Sequence, residues 1–305
     1  KIVFFNRPME VHLLDTFAAY GRAVDQRVRG PAEAGKAGAA GAIVRSVTTK
    51  PDNVPHVGTL HYDDAPAVPA VAIGLQDAER LACWLRTYGE VEVLLRLSCR
   101  DLGRTVSYNV IGELRGRELP QEVVVVGGHF DSWDQGDGSH DDGAGCIQAL
   151  EVLDLLKRVG IRPRRTVRVV FFINEEFGLD GARAYAEQAA AGGEYHLAAI
   201  ESDRGAFTPR GFYVDAPDSI VALLQEWLPV LNVALIEWVR KGGSGADIAQ
   251  MKDAKALIGY VPDTQRYFDH HHSANDVFAA VHPRELELGA AAMAILAYLI
   301  AEEGL

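Results

Sequence analysis

Histidine and carboxylate side chains concentrate in one stretch of the sequence, residues 123–145. Its first four residues, Val123–Val126, are all β-branched, which is typical of a strand buried on both faces. His129 and Asp131 follow this strand, and a Gly-rich polar loop leads to Asp141-Asp142. Open α/β sheets carry ligand sites at the carboxyl ends of their strands, and imidazole with carboxylate is the chemistry of a metal site. Taken alone, the Asp-Asp-Gly turn also fits a helix N-cap.

Acidic or imidazole residues also follow three later predicted strands, which are Thr166–Ile173, Leu197–Ile200 and Ala256–Val261. These residues are Glu175, Glu176, Asp203, His270, His271, His272 and Asp276. Carboxylates that meet at one sheet edge repel one another and are costly to desolvate, so we expect a cation among them. Ligands without thiolate favour zinc, with manganese and cobalt as alternatives. Their number exceeds the need of one tetrahedral ion, which favours a two-metal site for hydrolysis.

The adjacent pair Glu175-Glu176 divides into two roles, because neighbouring residues do not easily point at the same ion. One carboxylate binds metal, and the other accepts a proton from water and passes it to a leaving amine. Asp131 is spaced to hydrogen-bond the far ring nitrogen of His129, which is the usual support of a metal-binding imidazole. The alternative for the Glu pair is a surface cap of the next helix, but the apolar strand directly before it argues against that.

The order of predicted elements changes at about residue 104. Beyond it, strands alternate with amphipathic helices, which predicts an α/β fold with a mixed, mostly parallel sheet sandwiched by helices. The first hundred residues form a separate unit with short predicted strands, among them Val91–Leu97. Within this unit, Thr48–Pro66 is predicted to be a loop in which His56 and His61 are solvated, with metal binding as the alternative.

The composition restricts the class of protein. A net charge of −12 over 305 residues argues against nucleic acid as the main partner. The longest apolar run, Leu288–Ala301, is shorter than the ~18–20 residues of a membrane-spanning helix, so we expect no membrane span. Three cysteines leave one disulfide open, but Cys146 falls in an apolar helix pattern and is predicted to be a buried thiol.

Several motifs together resemble one family, the co-catalytic di-zinc aminopeptidases and carboxypeptidases that carry a protease-associated domain. The motifs are GGHFDSWD, DDGAG, NEEFGLDGA, ESDRGAF and YFDHHHSAND. The resemblance implies a zinc exopeptidase-like catalytic domain at 103–305 and an inserted, β-rich protease-associated domain at 1–102. Relatives carry an N-terminal helical segment of the catalytic domain before the insert, and we expect that this segment is missing from the chain.

The resemblance also implies a role for each site residue and two Zn²⁺ ions per chain. The implied metal ligands are His129, Asp141, Glu176, Asp203 and His272, with Asp141 bridging the two ions. Glu175 is the implied general base, and Asp131 supports His129. His272 is preferred because it stands four residues before Asp276, and His271 is the alternative. In this family the Asp141–Asp142 peptide bond is often cis.

The expected function is hydrolysis of dipeptides or of the N-terminal residues of short peptides. The backbone of Gly243, Ser244 and Gly245 is predicted to line the substrate pocket. The alternatives are a carboxypeptidase, a non-catalytic relative, and a single-zinc acyl transferase of the glutaminyl cyclase type. The resemblance further suggests a homodimer and an extracytoplasmic, secreted or periplasmic, location.

Overall fold

The computed structural model describes all of residues 1–305. The chain folds into two compact units. The first is formed by Lys1–Val106 with Gln265–Asn275, and the second by Ser107–Thr264 with Asp276–Leu305. No helix of the chain combines the length and the apolar composition that crossing a bilayer requires, as the sequence predicts.

The first unit contains three strands and four helices. In chain order they are β1 (Ile2–Phe5), α1 (Thr16–Gly21), α2 (Asp25–Val28), α3 (Gly30–Lys36), β2 (Gly41–Arg45), β3 (Ala70–Ile73) and α4 (Leu75–Tyr88). The strands pair in parallel in the order β1-β2-β3, and the central strand β2 is buried along its whole length. The unit differs from the predicted β-rich domain, because its helices contain more of the chain than its three short strands.

The segment Gln265–Asn275 belongs to the first unit through a cluster of aromatic rings. Phe268 stacks on Tyr20 with 4.6 Å between ring centroids, and Tyr267 stacks on Phe17 with 5.3 Å. Aromatic pairs of this kind bury large apolar areas. The division therefore differs from the expected boundary, since a segment from the predicted catalytic domain folds with the first hundred residues.

The predicted strand Val91–Leu97 is wrong. The segment is irregular, and no strand pairs with it. Helix α4 ends just before it at Gly89, whose φ of 75° lies in the left-handed region. The side chains of Leu94 and Leu97 are exposed, so the alternating pattern there does not mark a buried face. Without a neighbouring strand, the backbone groups of this largely apolar run have no sheet partner, whatever its strand propensity.

The second unit contains seven strands and five helices. In chain order they are β4 (Val110–Leu114), β5 (Leu119–His129), α5 (Ala144–Arg158), β6 (Arg165–Phe172), α6 (Asp180–Ala191), β7 (Tyr195–Glu201), β8 (Pro209–Asp215), α7 (Asp218–Glu226), α8 (Leu228–Leu231), β9 (Trp238–Lys241), β10 (Leu257–Pro262) and α9 (Pro283–Glu303). An irregular turn over Ser139–Gly143 precedes α5. Short 3₁₀ turns cover Asn232–Ala234, Ile248–Gln250 and Phe278–Ala280, while a further 3₁₀ turn, Thr264–Asp269, falls almost wholly in the first unit.

The seven strands form one mixed sheet with the order β4-β6-β5-β7-β10-β8-β9. The four central strands, β6, β5, β7 and β10, are parallel to their neighbours within this group. β4 and β8 pair antiparallel with β6 and β10, respectively. This confirms the predicted mixed, mostly parallel sheet. The pattern of strands and helices does not predict β8, because it follows β7 without an intervening helix.

Helices cover both faces of this sheet, as the sequence predicts. Val124 and Val126 of β5 pack into one apolar cluster with residues of α5, α7 and α9. Val123 and Val125 pack into a second cluster with residues of α6. Each of these four valines is at most 2% exposed, which explains the unbroken β-branched run. The central strand is therefore rigidly held on both faces, directly before the residues that could do chemistry.

The packing of α5 predicts different costs for two leucines in the same helix. Leu156 is 4% exposed and lies in the apolar cluster, whereas Leu150 is 46% exposed. We expect Leu156→Ala to lower the free energy of unfolding by about 2–5 kcal/mol, because it leaves a cavity. Leu150→Ala should cost less than about 1 kcal/mol. Denaturant unfolding followed by circular dichroism measures both, and equal costs would contradict the assigned packing.

Candidate metal centre

Three neighbouring parallel strands bring predicted ligands to one edge of the sheet. β5 ends at His129, Glu175 and Glu176 follow β6, and Asp203 follows β7. Because these strands are adjacent and parallel, their carboxyl ends lie side by side. Asp141 reaches the same edge from the turn before α5, where its Oδ1 lies 3.2 Å from His129 Nε2.

The imidazole of His129 is fixed by its second nitrogen. Nδ1 donates to the backbone carbonyl oxygen of Asp131 at 2.9 Å, so Nε2 faces the carboxylates of Asp141 and Asp203. The predicted hydrogen bond between His129 and Asp131 is thus made by the backbone of Asp131 and not by its carboxylate, whose nearest oxygen lies 3.9 Å from Nδ1. That carboxylate accepts the backbone N–H groups of Glu175 at 3.0 Å and Glu176 at 3.3 Å. Asp131 therefore supports His129 through its backbone and the Glu pair through its side chain.

The donor atoms fit the coordination geometry of a small divalent ion. In two groups of three side chains, the potential ligand atoms all lie within 4.8 Å of one another. The first group is His129, Asp141 and Glu176, and the second is His129, Asp142 and Asp203. His129 Nε2 lies 3.2 Å from Asp141 Oδ1 and 3.5 Å from Asp203 Oδ1. Ligands about 2.1 Å from a tetrahedral zinc ion are separated by ~3.4 Å. The observed spacing therefore matches zinc ligation.

Asp142 and Asp276 hold the turn that presents Asp141. Asp142 Oδ2 accepts the His129 N–H at 3.1 Å, and its Oδ1 accepts the Gly145 N–H at 3.1 Å. Asp276 accepts the Asp141 N–H at 3.1 Å. The Asp141–Asp142 peptide bond is cis, as the resemblance predicts. Both Asp142 oxygens are thus engaged with backbone, which leaves Asp141 as the better ligand of the adjacent pair.

A tight turn after β6 presents the Glu pair. Asn174 has a φ of 69°, a left-handed conformation that asparagine tolerates better than most residues. Its carbonyl accepts the Leu179 N–H at 2.6 Å and closes the turn into α6. Glu176 is 7% exposed and accepts the indole N–H of Trp133 at 2.6 Å. The pair is therefore held inside the site, and the alternative of a surface helix cap is wrong.

The pKa values of this cluster are shifted because several acidic side chains are crowded together. Burial raises the pKa of Glu175 to about 8, and the charges of Asp203 and Glu176 add to the effect. Burial alone would lower the pKa of His129, but its hydrogen bonds to Asp141 and Asp203 hold that pKa well above the usual value. Protons thus compensate part of the negative charge when no cation does so.

The predicted ligand His272 and its neighbour His271 lie in the first unit. His272 has a φ of 57°, and its Nδ1 lies 3.2 Å from the Val57 carbonyl oxygen. Nδ1 therefore donates, and Nε2 is the nitrogen suited to a metal. The predicted solvated position of His56 is wrong: it is 1% exposed, and its Nδ1 binds the His271 carbonyl at 2.7 Å. Burial lowers the pKa of His56 to about 4, so this anchor is neutral at pH 7.

The predicted substrate wall, Gly243 to Gly245, lies against the ends of β7 and β10. A Cβ on Gly245 would meet Glu201 Oε1 at 2.2 Å, so only glycine allows this approach. A Cβ on Gly259, a residue of β10, would meet the Ser244 carbonyl oxygen, so the backbone of Ser244 lies directly against β10. Gly243 has no atom within 4 Å of its Cβ position and faces open space. The segment is thus a backbone-rich strap held against Glu201, two residues before the predicted ligand Asp203.

Comparison with known proteins identifies the family. The sequence profile of peptidase family M28 matches residues 109–297 of this chain. The chain belongs to peptidase family M28. The M28 match covers the second unit almost entirely, including His129, Asp141, Glu175, Glu176 and Asp203.

Relatives of this M28 chain resemble it along nearly its whole length. Carboxypeptidase Q from Bos taurus and from Homo sapiens are each 32% identical over 304 residues. The match covers 99% of the chain but 63% of each relative, so the chain spans less than two thirds of their length. A peptidase M28 precursor from Shewanella amazonensis SB2B has a TM-score of 0.93 at 32% identity, covering 99% of this chain and 69% of that one.

The same fold extends to more distant proteins. BSAP, a zinc aminopeptidase from Bacillus subtilis, has a TM-score of 0.62 at 19% identity, with 89% of this chain and 67% of that chain covered. This likeness confirms the α/β fold with its mostly parallel sheet and flanking helices.

Three residues of this M28 site have no role in the sequence analysis, although they hold its ligands. Asp142 and Asp276 are visible as acidic residues inside the motifs, but their partners are backbone groups that only the fold reveals. Trp133 gives no chemical signal of its own, since an aromatic residue after a strand fits many structures. Its contact with Glu176 spans 43 positions of the sequence.

Metal addition provides a test of the centre. We expect Zn²⁺ added to chelator-treated protein to raise the melting temperature by about 5–10 °C at a hundred-fold excess over Kd, because the ion binds only the folded chain. Asp141→Asn should abolish most of that rise. Asp134→Asn, an exposed position in the same loop, is the control. Differential scanning calorimetry measures the shift, and an unchanged rise in Asp141→Asn would contradict the assigned ligand.

Proposed function

We propose that this chain is the catalytic part of a zinc-dependent exopeptidase that hydrolyses dipeptides or removes N-terminal residues from short peptides. One observation carries the proposal: an acidic pair, Glu175 and Glu176, is held at the same sheet edge as the spaced donors of His129, Asp141 and Asp203. A carboxylate base beside a set of zinc-type ligands is the arrangement that metal-assisted hydrolysis needs. Membership of peptidase family M28 supports the reaction class.

Each ligand in the proposal has a defined place. His129 and Asp203 would hold one Zn²⁺, Glu176 and His272 the other, and Asp141 both. When bound, two zinc ions polarise the scissile carbonyl and lower the pKa of a bound water. The hydrogen bond from His129 Nδ1 to the Asp131 carbonyl supports this assignment, because it keeps Nε2 directed at the acidic group.

Glu175 is the proposed general base. It would accept a proton from the attacking water and return it to the leaving amine. Burial and the acidic surroundings raise the pKa of Glu175 to about 8 in the absence of a cation, and bound Zn²⁺ would lower that pKa towards the range in which a carboxylate accepts a proton at neutral pH. Its backbone N–H is held by the Asp131 carboxylate, so the turn that carries the base is fixed independently of the ligands.

The charge of the site favours recognition of a free α-amine. The carboxylates at this edge are oriented by backbone N–H groups, and His129 compensates only part of their negative charge. A cationic amine would therefore be attracted to the site. The strap of Gly243, Ser244 and Gly245 would line the pocket with backbone hydrogen-bonding groups, as its open Gly243 position permits.

A carboxypeptidase activity is the second candidate. Arg204 follows Asp203 directly, and its guanidinium carbon lies 5.6 Å from the centroid of the Tyr213 ring. A guanidinium at that position could bind the α-carboxylate of a substrate. The relatives named carboxypeptidase Q favour the same alternative.

Further proposals concern the rest of the protein. We propose that the first unit is a protease-associated domain, that the protein acts outside the cytoplasm and that it forms a homodimer. A non-catalytic relative and a single-zinc acyl transferase of the glutaminyl cyclase type remain alternatives to the peptidase. Metal analysis separates them, because two zinc ions per chain favour the peptidase and one favours the transferase.

Removal of the base tests the mechanism. We expect Glu175→Gln to lower kcat by about 10²–10⁴-fold, because the amide cannot accept the proton. Its metal content should stay at the wild-type value. Glu187→Gln, an exposed position on α6, is the matched control and should keep full activity. Stopped assays with a dipeptide measure the rate, and metal analysis measures the zinc content. A wild-type rate in Glu175→Gln would contradict the proposed mechanism.

Blocked substrates test which peptide end is recognised. One dipeptide is supplied free, N-acetylated and C-amidated, and the released amino acids are quantified by mass spectrometry. We expect acetylation to stop cleavage, because it removes the cationic amine. Cleavage that survives amidation but not acetylation identifies an aminopeptidase. Loss of cleavage on both modifications, each tested alone, identifies a dipeptidase. Loss on amidation alone would establish the carboxypeptidase alternative.

A further inference from the structure

Trp133 makes a short hydrogen bond to a predicted metal ligand. Its indole Nε1–H donates to Glu176 Oε2 at 2.6 Å. Glu176 is 7% exposed, and its Oε2 is one oxygen of a carboxylate that lies in the group with His129 and Asp141. A hydrogen bond to an ionised carboxylate is about twice as strong as one between neutral groups, so this contact has the strength to orient the side chain.

The indole itself is restrained by an aromatic neighbour. The Trp133 ring lies 4.7 Å from the ring of Phe177, at an interplanar angle of 45°. Phe177 directly follows Glu176, so donor and acceptor are carried on two loops that pack against each other. The Glu176 backbone is fixed separately, because its N–H donates to Asp131 Oδ2 at 3.3 Å. Asp131 therefore positions the backbone of Glu176, and Trp133 positions its carboxylate.

We propose that Trp133 is a positioning residue that holds the Glu176 carboxylate in its metal-binding orientation, and that its indole senses occupancy of that site. This inference rests on the proposed function. A glutamate has three rotatable side-chain bonds, and the indole donor at Oε2 restricts the orientations that the Glu176 carboxylate can adopt. Loss of a group that supports a metal ligand typically weakens metal binding 10–100-fold.

The same contact gives the site a spectroscopic signature. The indole N–H faces a carboxylate whose negative charge a divalent cation would largely neutralise. Indole emission responds to charge near the ring, so Zn²⁺ binding changes the fluorescence of Trp133. The chain has three other tryptophans: Trp84 lies on α4 of the first unit, Trp227 packs against the apolar cluster of the second unit, and Trp238 packs beside Tyr213. Most of the metal-dependent emission change should therefore come from Trp133.

Two substitutions separate the N–H donor from the ring. Trp133→Phe keeps an aromatic ring beside Phe177 but has no donor. Trp133→Gln removes the ring but keeps an N–H donor in its amide. Trp84→Phe, at a half-exposed position of the first unit, is the control for loss of a tryptophan. Zn²⁺ is titrated into each chelator-treated full-length protein, with equilibrium dialysis for Kd and stoichiometry and with emission recorded in parallel. Circular dichroism verifies that each variant is folded.

We expect Trp133→Phe to raise the Kd of the weaker Zn²⁺ equivalent 10–100-fold and to lose most of the emission change. Trp133→Gln should bind that equivalent within about threefold of wild type, and Trp84→Phe should match wild type in both readouts. Wild-type affinity in Trp133→Phe, or an equal loss in Trp133→Gln, would overturn the positioning role while leaving the exopeptidase proposal intact. Wild-type protein that binds no Zn²⁺ would overturn the proposed function and this inference with it.

Discussion

Mutual repulsion of carboxylates at one sheet edge is the constraint on which the second unit depends. The acids there are held mainly by backbone N–H groups rather than by arginine or lysine. The acceptors of such bonds are Asp131, Asp142, Glu201 and Asp276. Backbone amides orient a carboxylate without cancelling its charge, so the cluster stays negative. Proton uptake by His129 compensates part of that charge, and a divalent cation would compensate more.

Close approach of backbone segments makes this arrangement possible. A Cβ on Gly128 would lie 2.2 Å from Asp142 Oδ2, and a Cβ on Gly145 would lie 2.0 Å from the Ser202 carbonyl oxygen. The ends of β5 and α5 therefore meet the β7 loop at distances that any side chain would prevent. The apolar packing of Val123–Val126 on both faces fixes the strand from which this geometry starts. Precision at the site thus comes from glycine and valine as much as from the ligands.

The local sequence pattern predicts where the strands of this site end. It does not predict hydrogen-bond partners that lie far apart in the sequence. Each of His129, Glu175 and Asp203 closely follows an apolar run that predicts a strand. Their positions at strand ends can therefore be predicted from a few neighbouring residues. The partner of the Asp131 carboxylate cannot be predicted in this way. A nearby imidazole and a distant pair of backbone amides are both possible donors, and only the folded structure shows that the amides bind it. The same reason explains His56, whose burial depends on a segment more than two hundred residues later. Val91–Leu97 fails for the opposite reason, since its β pattern has no neighbouring strand.

The membership of Gln265–Asn275 in the first unit has a consequence for synthesis on the ribosome. Phe17 and Tyr20 emerge early, but Tyr267 and Phe268, the rings that cover them, follow about 250 residues later. At roughly 5–20 residues per second, that delay is of the order of 10–50 s. The first unit therefore cannot complete its packing in the order in which it is made, because its aromatic surface waits for a segment about 250 residues later.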